Sequence, residues 1–241
     1  MSPTCLSCME KYYESDGGTC KECYEEANEM KDKFKREIEE LKAKVAFLRF
    51  WSPFDPHSRP NGPCFTDVVL VATSDDHSAE IGAPVPAHKA LLVSRSPVFK
   101  AMLESEMEES LSGTIKISDV SYDALRSFVN YLYTAEVSCL DEQVACELLV
   151  LAEKYQVNHL KAYCEKLLVS KLNWDNSVMS YSFAHQYNSK LISDAALSLI
   201  TDNMDKLTKK EEYVELVEKD PRLVVEIYEA YLSKQVNTAA R

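Results

Sequence analysis

Apolar positions follow different rhythms along the chain. Between residues 24 and 51 they recur every three and four positions in a charged background. Ala27, Phe34, Leu41 and Leu48 fall on the d position of a heptad, and Lys31, Ile38 and Val45 on a. This spacing predicts a helix with two readings. It is a dimerising coiled coil, or an amphipathic helix lying against the rest of the protein. Seven acidic and seven basic side chains between residues 25 and 49, with i,i+4 pairs such as Glu40 and Lys44, favour the helix itself. Further on, Val68-Val69-Leu70-Val71-Ala72 is a β-branched run and predicts a buried strand. Asp75-Asp76-His77-Ser78 predicts a turn, with a second strand ending near Ala87. Ser96 followed by Pro97 predicts a helix start, the helix running to about Glu104. Thr114-Ile115-Lys116-Ile117 alternates as a third strand.

From there the pattern is helical. Leu125, Phe128, Val129, Leu132 and Tyr133 share one face, as do Val144, Leu148, Leu151, Ala152 and Tyr155, and Leu160, Tyr163, Cys164, Leu167 and Leu168. Asn176 predicts a cap for a helix through His185, and residues 191–204 form another. Thr208-Lys209-Lys210-Glu211 reads as a capping box, and Asp220-Pro221 opens the last helix. Few strands in front and many helices behind predict an α+β domain followed by an all-α one.

Composition divides the front of the chain. Residues 1–23 hold Cys5, Cys8, Cys20 and Cys23. Residues 24–51 are the charged helix, and residues 52–63 carry four prolines and a glycine, as a linker does. Two CxxC pairs separated by 11 residues offer four thiolates for a tetrahedral structural Zn2+, and so short a segment needs such a metal to fold. The bland alternative is a tail of free thiols. A redox role fits poorly, because neither pair opens a helix after a strand.

The formal charge is −12, so a phosphate backbone is a poor partner and nucleic acid is disfavoured. No apolar run approaches the ~18 residues of a membrane span, and the N-terminus does not read as a signal peptide. A reducing compartment, cytoplasmic and/or nuclear, is expected for the eight cysteines. Cys146 and Cys164 fall on apolar helix faces and read as small hydrophobes. No P-loop, dinucleotide turn or HExxH occurs. His88 has no nucleophile and acid that the sequence can place beside it, and reads as a hydrogen-bonded core histidine. No catalytic residue is expected, and the chain reads as no enzyme.

Several of these residues carry a resemblance. Asp67 opening the first strand, His88-Lys89 after the second, Ser94, Ser96, Pro97 and Phe99, the helix end Tyr131-Leu132-Tyr133-Thr134, and Leu148-Leu149, Ala152, Tyr155, Leu160 and Cys164 occur in the order and spacing of the BTB/POZ domain. The likeness covers roughly residues 64–170. Glu106-Met107-Glu108-Glu109-Ser110 resembles the speckle-type POZ proteins and their plant relatives, and residues 171–235 resemble the BACK helices that follow there. The layout, with its N-terminal cysteines, is similar to plant BTB/POZ-domain proteins.

The resemblance implies a homodimer and, for many members, binding of cullin-3 through a hydrophobic-x-Glu motif. Met107 and Glu109 take those places here. A flexible thioether inside an acidic rim suits a hot spot. Residues 178–191 resemble the additional cullin-contacting helices called the 3-box. Asp67 and Lys89 look like the family's charge pair near the dimer interface, or equally a structural ion pair within one protomer. The implied function is that of a substrate-specific adaptor of a cullin-3/RING ubiquitin ligase, with an unknown protein substrate. The alternative is a dimeric scaffold or transcriptional co-regulator that does not bind cullin. The family's usual substrate-reading domains are absent from the sequence, so the client's docking surface is not implied.

Overall fold

A computed structural model describes residues 4–11, 18–50, 52–54, 65–73, 83–105, 112–118, 120–137 and 141–239, with side chains left aside at 45–50 and 237–239. Three strands, β1 (Val68–Thr73), β2 (Val85–Ala87) and β3 (Thr114–Ser118), make one sheet in the order β2-β1-β3. β2 runs antiparallel to β1, with Val68 opposite Ala87 and Leu70 opposite Val85. β3 runs parallel to β1, from Val69 opposite Thr114 to Thr73 opposite Ser118. A parallel neighbour requires a crossover, which α2 (Lys89–Arg95) and α3 (Pro97–Glu104) help to provide. Val68, Leu70, Val85, Ala87, Ile115 and Ile117 are buried, which is the alternation the sequence shows. Gly113 enters β3 at φ +66°, a conformation that suits glycine, and its carbonyl accepts the Val69 N–H at 2.9 Å.

Helices α4 (Tyr122–Thr134), α5 (Glu142–Lys154) and α6 (Asn158–Lys171) close this unit. Side-chain caps start α3, α4 and α5. Ser96 Oγ accepts the Phe99 N–H, Ser121 Oγ the Ala124 N–H, and Asp141 Oδ1 the Val144 N–H, at 3.2, 3.2 and 2.8 Å. Phe99, Phe128 and Tyr155 form the aromatic centre of the core, with the Phe99 and Tyr155 rings stacked at 4.2 Å.

Behind it lie α7 (Ser177–Gln186), α8 (Lys190–Asp202), α9 (Met204–Leu207), α10 (Glu211–Lys219) and α11 (Pro221–Ala239). Two apolar cores share α7 and α8. Ala184 and Ile192 belong to the first, while Val178, Tyr181, Ala196 and Ile200 join Leu216, Leu223 and Ile227 in the second.

Three helix boundaries differ from expectation. The capping box at 208–211 does not form. Thr208 instead ends α9, and α10 starts at Glu211 behind Lys210, whose ammonium donates to the Trp174 and Asp175 carbonyls at 2.7 and 2.8 Å. The helix expected over 191–204 breaks at Asn203, which separates α8 from α9. Asn176 precedes α7 as expected, yet its Oδ1 accepts the Asn173 N–H at 2.8 Å instead of capping the helix. At Asn176 a neighbouring backbone N–H takes the side-chain oxygen that local sequence assigns to a cap.

The long helix α1 (Lys21–Phe50) stands in front. Residues 24–44 are exposed on every face apart from the half-buried Asn28. Residues 24–44 therefore do not pack an apolar face on the body. α1 meets the body at α4, and just beyond its end the Arg126 guanidinium lies 5.5 Å over the Phe54 ring. Among the described residues no helix is long and apolar enough to cross a membrane.

Candidate functional site

The four N-terminal cysteines converge. Cys5, Cys8, Cys20 and Cys23 place their sulfurs within 4.8 Å of one another, and Cys8 Sγ lies 3.8 Å from Cys20 Sγ. Local backbone chemistry builds this cluster. The Cys5 N–H donates to the Glu10 carbonyl at 2.8 Å and the Met9 N–H to the Cys5 carbonyl at 3.0 Å, which folds the first CxxC into a tight knuckle with Met9 at φ 62°. The Leu6 N–H donates to Gly18 O at 2.7 Å, joining the knuckle to the second pair. Gly18 sits at φ +104°, and a Cβ there would stand 3.3 Å from Leu6 Cδ1. Glycine therefore permits both the turn and the close approach. Cys20 accepts the Tyr24 N–H on its carbonyl and stands just before α1, while Cys23 lies in its first turn.

Backbone hydrogen bonds favour anionic sulfur at Cys5. The Cys20 N–H donates to Cys5 Sγ at 3.2 Å, and with the Cys8 backbone amide it lowers the Cys5 thiol to about 6. The positive end of α1 adds to this. Hydrogen bonding from the Cys20 and Cys8 sulfurs pushes Cys23 up to about 12, so in the bare cluster the thiols share protons. A bound cation reverses that balance by compensating four adjacent negative charges. The cluster can hold a metal ion, and it answers the expectation drawn from the spacing.

The other residues singled out from sequence lie in the α+β unit. Asp67 is exposed, and its Oδ1 accepts the Lys89 backbone N–H at 2.7 Å, tying the entry of β1 to the first turn of α2. His88 is half-buried. Its Nδ1 lies 2.6 Å from the Tyr133 hydroxyl, which also accepts the His88 N–H at 3.0 Å. His88 thus joins α2 to α4 as a hydrogen-bonded histidine. Cys164 is buried and its thiol is pushed up to about 12 by that burial, the state of a packed, unreactive sulfur. Met107 and Glu109, the turn at 75–78, Cys64 and Cys139 lie outside the described residues. So does most of the proline-rich linker. The ends that frame Met107 and Glu109 are described. α3 stops at Glu104, with Ser105 as its C-cap, and Gly113 and Thr114 resume into β3.

Two features escaped sequence reasoning. His185, Ser193 and Glu226 meet across α7, α8 and α11 and share the residue types of a hydrolase triad. Both Ser193 Oγ, at 3.3 Å, and Glu226 Oε2, at 3.4 Å, approach the same ring nitrogen, Nε2. The acid therefore does not orient the ring from the opposite side, as nucleophile activation requires. Tyr181 donates to Glu226 at 3.1 Å, so the group pins three helices together. The second feature is a groove of about 240 Å³ between α7 and α10. Val178, Met179, Phe183 and Leu216 line it, with Glu212, Glu215 and Lys219 around it. Neither leaves a local signature, because each is assembled by packing between distant helices.

With the geometry in place, the chain can be set beside known proteins. A BTB/POZ domain family model matches residues 57–172. The Arabidopsis thaliana BTB/POZ domain-containing protein At4g08455 is 69% identical over 236 residues, covering 98% of this chain and 96% of that protein. The mouse TD and POZ domain-containing protein 4 is 32% identical over 174 residues, which are 72% of this chain but only 45% of the mouse protein. The solved BTB domain of zebrafish PATZ1 aligns at 20% identity and a TM-score of 0.40, over 53% of this chain and 92% of that domain. The near full-length match to the Arabidopsis protein includes the cysteine-bearing arm as well as the α+β unit, and the chain belongs to the BTB/POZ domain family.

Proposed function

We propose that this protein is a homodimeric, non-catalytic adaptor that brings a protein substrate to a cullin-3/RING ubiquitin ligase. The observation that carries the reading is the placement of Met107-Glu108-Glu109 in a BTB/POZ chain, in the segment between α3 and β3. α3 is held rigidly by the Phe99 stack and the Ser96 cap, so that segment departs from a fixed base. Met107 supplies an adaptable apolar anchor and Glu109 a charge at its rim, a combination that concentrates binding energy at few residues. The α7–α10 groove lies in the stretch resembling the 3-box and offers Met179 and Phe183 as further apolar contact.

In this reading the four-cysteine cluster holds a structural Zn2+. Zinc–sulfur bonds of ~2.3 Å in a tetrahedron set sulfur–sulfur edges of ~3.8 Å, and four thiolates with no open position suit a structural site. The Cys8–Cys20 separation of 3.8 Å supports it. The ion would fix the tip of the arm, which the exposed residues 24–44 separate from the body.

Cullin-3 pull-down by the full chain, against the double variant Met107→Ala/Glu109→Ala, tests the adaptor role. Capture by the wild type and at least about tenfold weaker capture by the variant is expected for a hot spot. No capture by the wild type removes cullin from the reading. A second reading, a BTB scaffold or transcriptional co-regulator working without cullin, draws on the exposed α1 as a binding arm. Interaction proteomics with and without residues 1–62 separates the two, because only the scaffold loses most of its partners with the arm.

A further inference from the structure

We infer that α1 is one strand of a parallel, in-register, two-stranded coiled coil formed with α1 of a second copy of this chain. Residues 24–44 span about 30 Å of helix at ~1.5 Å per residue. A helix in a folded protein draws most of its stability from packing its apolar face. Its own ion pairs, Lys21 with Glu25, Lys35 with Asp32, Lys42 with Glu39 and Lys44 with Glu40, are exposed and contribute little. What the helix offers instead is an uncovered seam. Phe34, Ile38 and Leu41 are 53, 50 and 59% exposed, and Tyr24 and Met30 extend their stripe. In sequence Val45 and Leu48 continue the same a and d positions toward the body.

The heptad names the occupant and its direction. Lys35, Lys42 and Arg49 all fall on e. In an antiparallel pair e faces e, which would set three cations against three. In a parallel pair e faces g of the other helix, so Glu37 on g meets Lys42 on e, and the stem of Lys35 covers Met30. Lys44 and Arg49 meet as like charges at the body end, where Glu40 already neutralises Lys44 at 2.8 Å. Lys31 is the charged residue at an a position. A single such lysine costs stability but selects register and oligomer state, because any shifted alignment buries it against apolar side chains. The same pattern argues against an unrelated apolar partner, for which neither the basic e edge nor Lys31 has a use.

The inference needs two copies to meet, as the homodimer reading also does, but it does not need cullin. The test uses the full zinc-loaded chain, as an equal mixture of unlabelled and nitrogen-15-labelled protein. p-Benzoylphenylalanine replaces Tyr24 in one preparation and Leu41 in another. After irradiation, mass spectrometry maps links between labelled and unlabelled copies, and sedimentation gives the oligomeric state. The expected result joins each probe to residues within about one turn of its own position in the other copy. Adding Ile38→Asp should cut that yield at least fivefold. Links from Tyr24 to residues 41–50 of the other copy would mean antiparallel arms and overturn the inference. Links to α10 or α11, or inter-copy links unaffected by Ile38→Asp, would overturn it equally. A dimer in sedimentation without arm links sinks this inference alone, whereas a monomer sinks the homodimer reading with it.

Discussion

The hydroxyl of Ser96 donates to the carbonyl oxygen of Tyr155 at 2.7 Å, across 59 residues of sequence. Ser96 Oγ in turn accepts the Phe99 N–H at 3.2 Å, and the Phe99 ring stacks on that of Tyr155. One buried side chain therefore starts α3 and fastens it to the end of α5. Ser96→Ala removes both bonds in a site closed to water, at a cost of about 1–3 kcal/mol. Ser94 makes one exposed bond, to Leu91 O at 2.8 Å, and Ser94→Ala should stay within about 0.5 kcal/mol. Urea midpoints of the two variants check this, and equal losses would show that Ser96 is no special tether.

Ala135 ends α4 in the left-handed conformation, at φ 54° and ψ 20°, with its N–H donating to Tyr131 O at 2.8 Å. A Cβ is unfavourable there, and glycine at this position after a helix is free of that strain. Ala135→Gly should stabilise the protein by about 0.5–1 kcal/mol, while Ala135→Val should destabilise it by more. Thermal melts read both signs, and a lower midpoint for the glycine variant would contradict the argument.

The reach of the sequence follows from how local each signal is. The β-branched run Val68-Val69-Leu70-Val71-Ala72 exposes β1 as a buried strand, and alternation in Thr114-Ile115-Lys116-Ile117 exposes β3 because a sheet face has a period of two residues. Ser96 before Pro97 marks α3 because capping and proline chemistry act within one turn. At 208–211 the same logic misleads. Lys210 reaches back 36 residues to Trp174 O and lies 4.7 Å over the Trp174 ring, so a tertiary contact places the start of α10. In the candidate site the pairing of two CxxC motifs is legible from spacing. The N–H of Cys20 aimed at Cys5, and the fit of Leu6 against Gly18, are not, since they depend on the knuckle's closed backbone. The role proposed for Met107 and Glu109 rests on family likeness, because one methionine among glutamates has no periodicity to read.

Glu147 supplies a pH dependence. Its Oε2 accepts both the N–H and the hydroxyl of Ser121, at 2.7 and 2.6 Å, and its Oε1 accepts Gln143 Nε2 at 2.9 Å. Partial burial pushes this carboxyl up, but the Ser121 and Gln143 hydrogen bonds outweigh it, so the pKa lies below the ordinary 4.5. A depressed folded value means that the carboxylate stabilises the fold above the ordinary pKa, and that this contribution is lost as pH falls through the folded value. Glu147→Gln should therefore destabilise the protein at pH 7, and the gap to wild type should shrink on acidification. Urea titrations at neutral pH and near pH 3.5 measure the gap. A constant gap would mean that charge at Glu147 has no part in it.

Metal removal should act on the arm and leave the body intact. Among the described residues of the knuckle Cys5 alone is buried, and the unit is held by backbone bonds such as Leu6 N–H to Gly18 O and by the Cys20 N–H on Cys5 Sγ. In the proposed zinc site so small a unit would draw its folding free energy from binding the metal. Chelation, or Cys23→Ser, should speed exchange of the Leu6 and Cys20 amides by at least about 10²-fold, the behaviour of a unit that opens independently. The Leu132 amide, inside the first core, should not change. Cobalt substitution gives a second readout, since four thiolates in a tetrahedron produce intense charge-transfer and ligand-field bands that Cys23→Ser would alter and Cys146→Ser would not. One cobalt per chain with those bands is the expected outcome. Exchange rates insensitive to chelation would show that the cysteines come together without an ion, and the arm would then need another source of order at its tip.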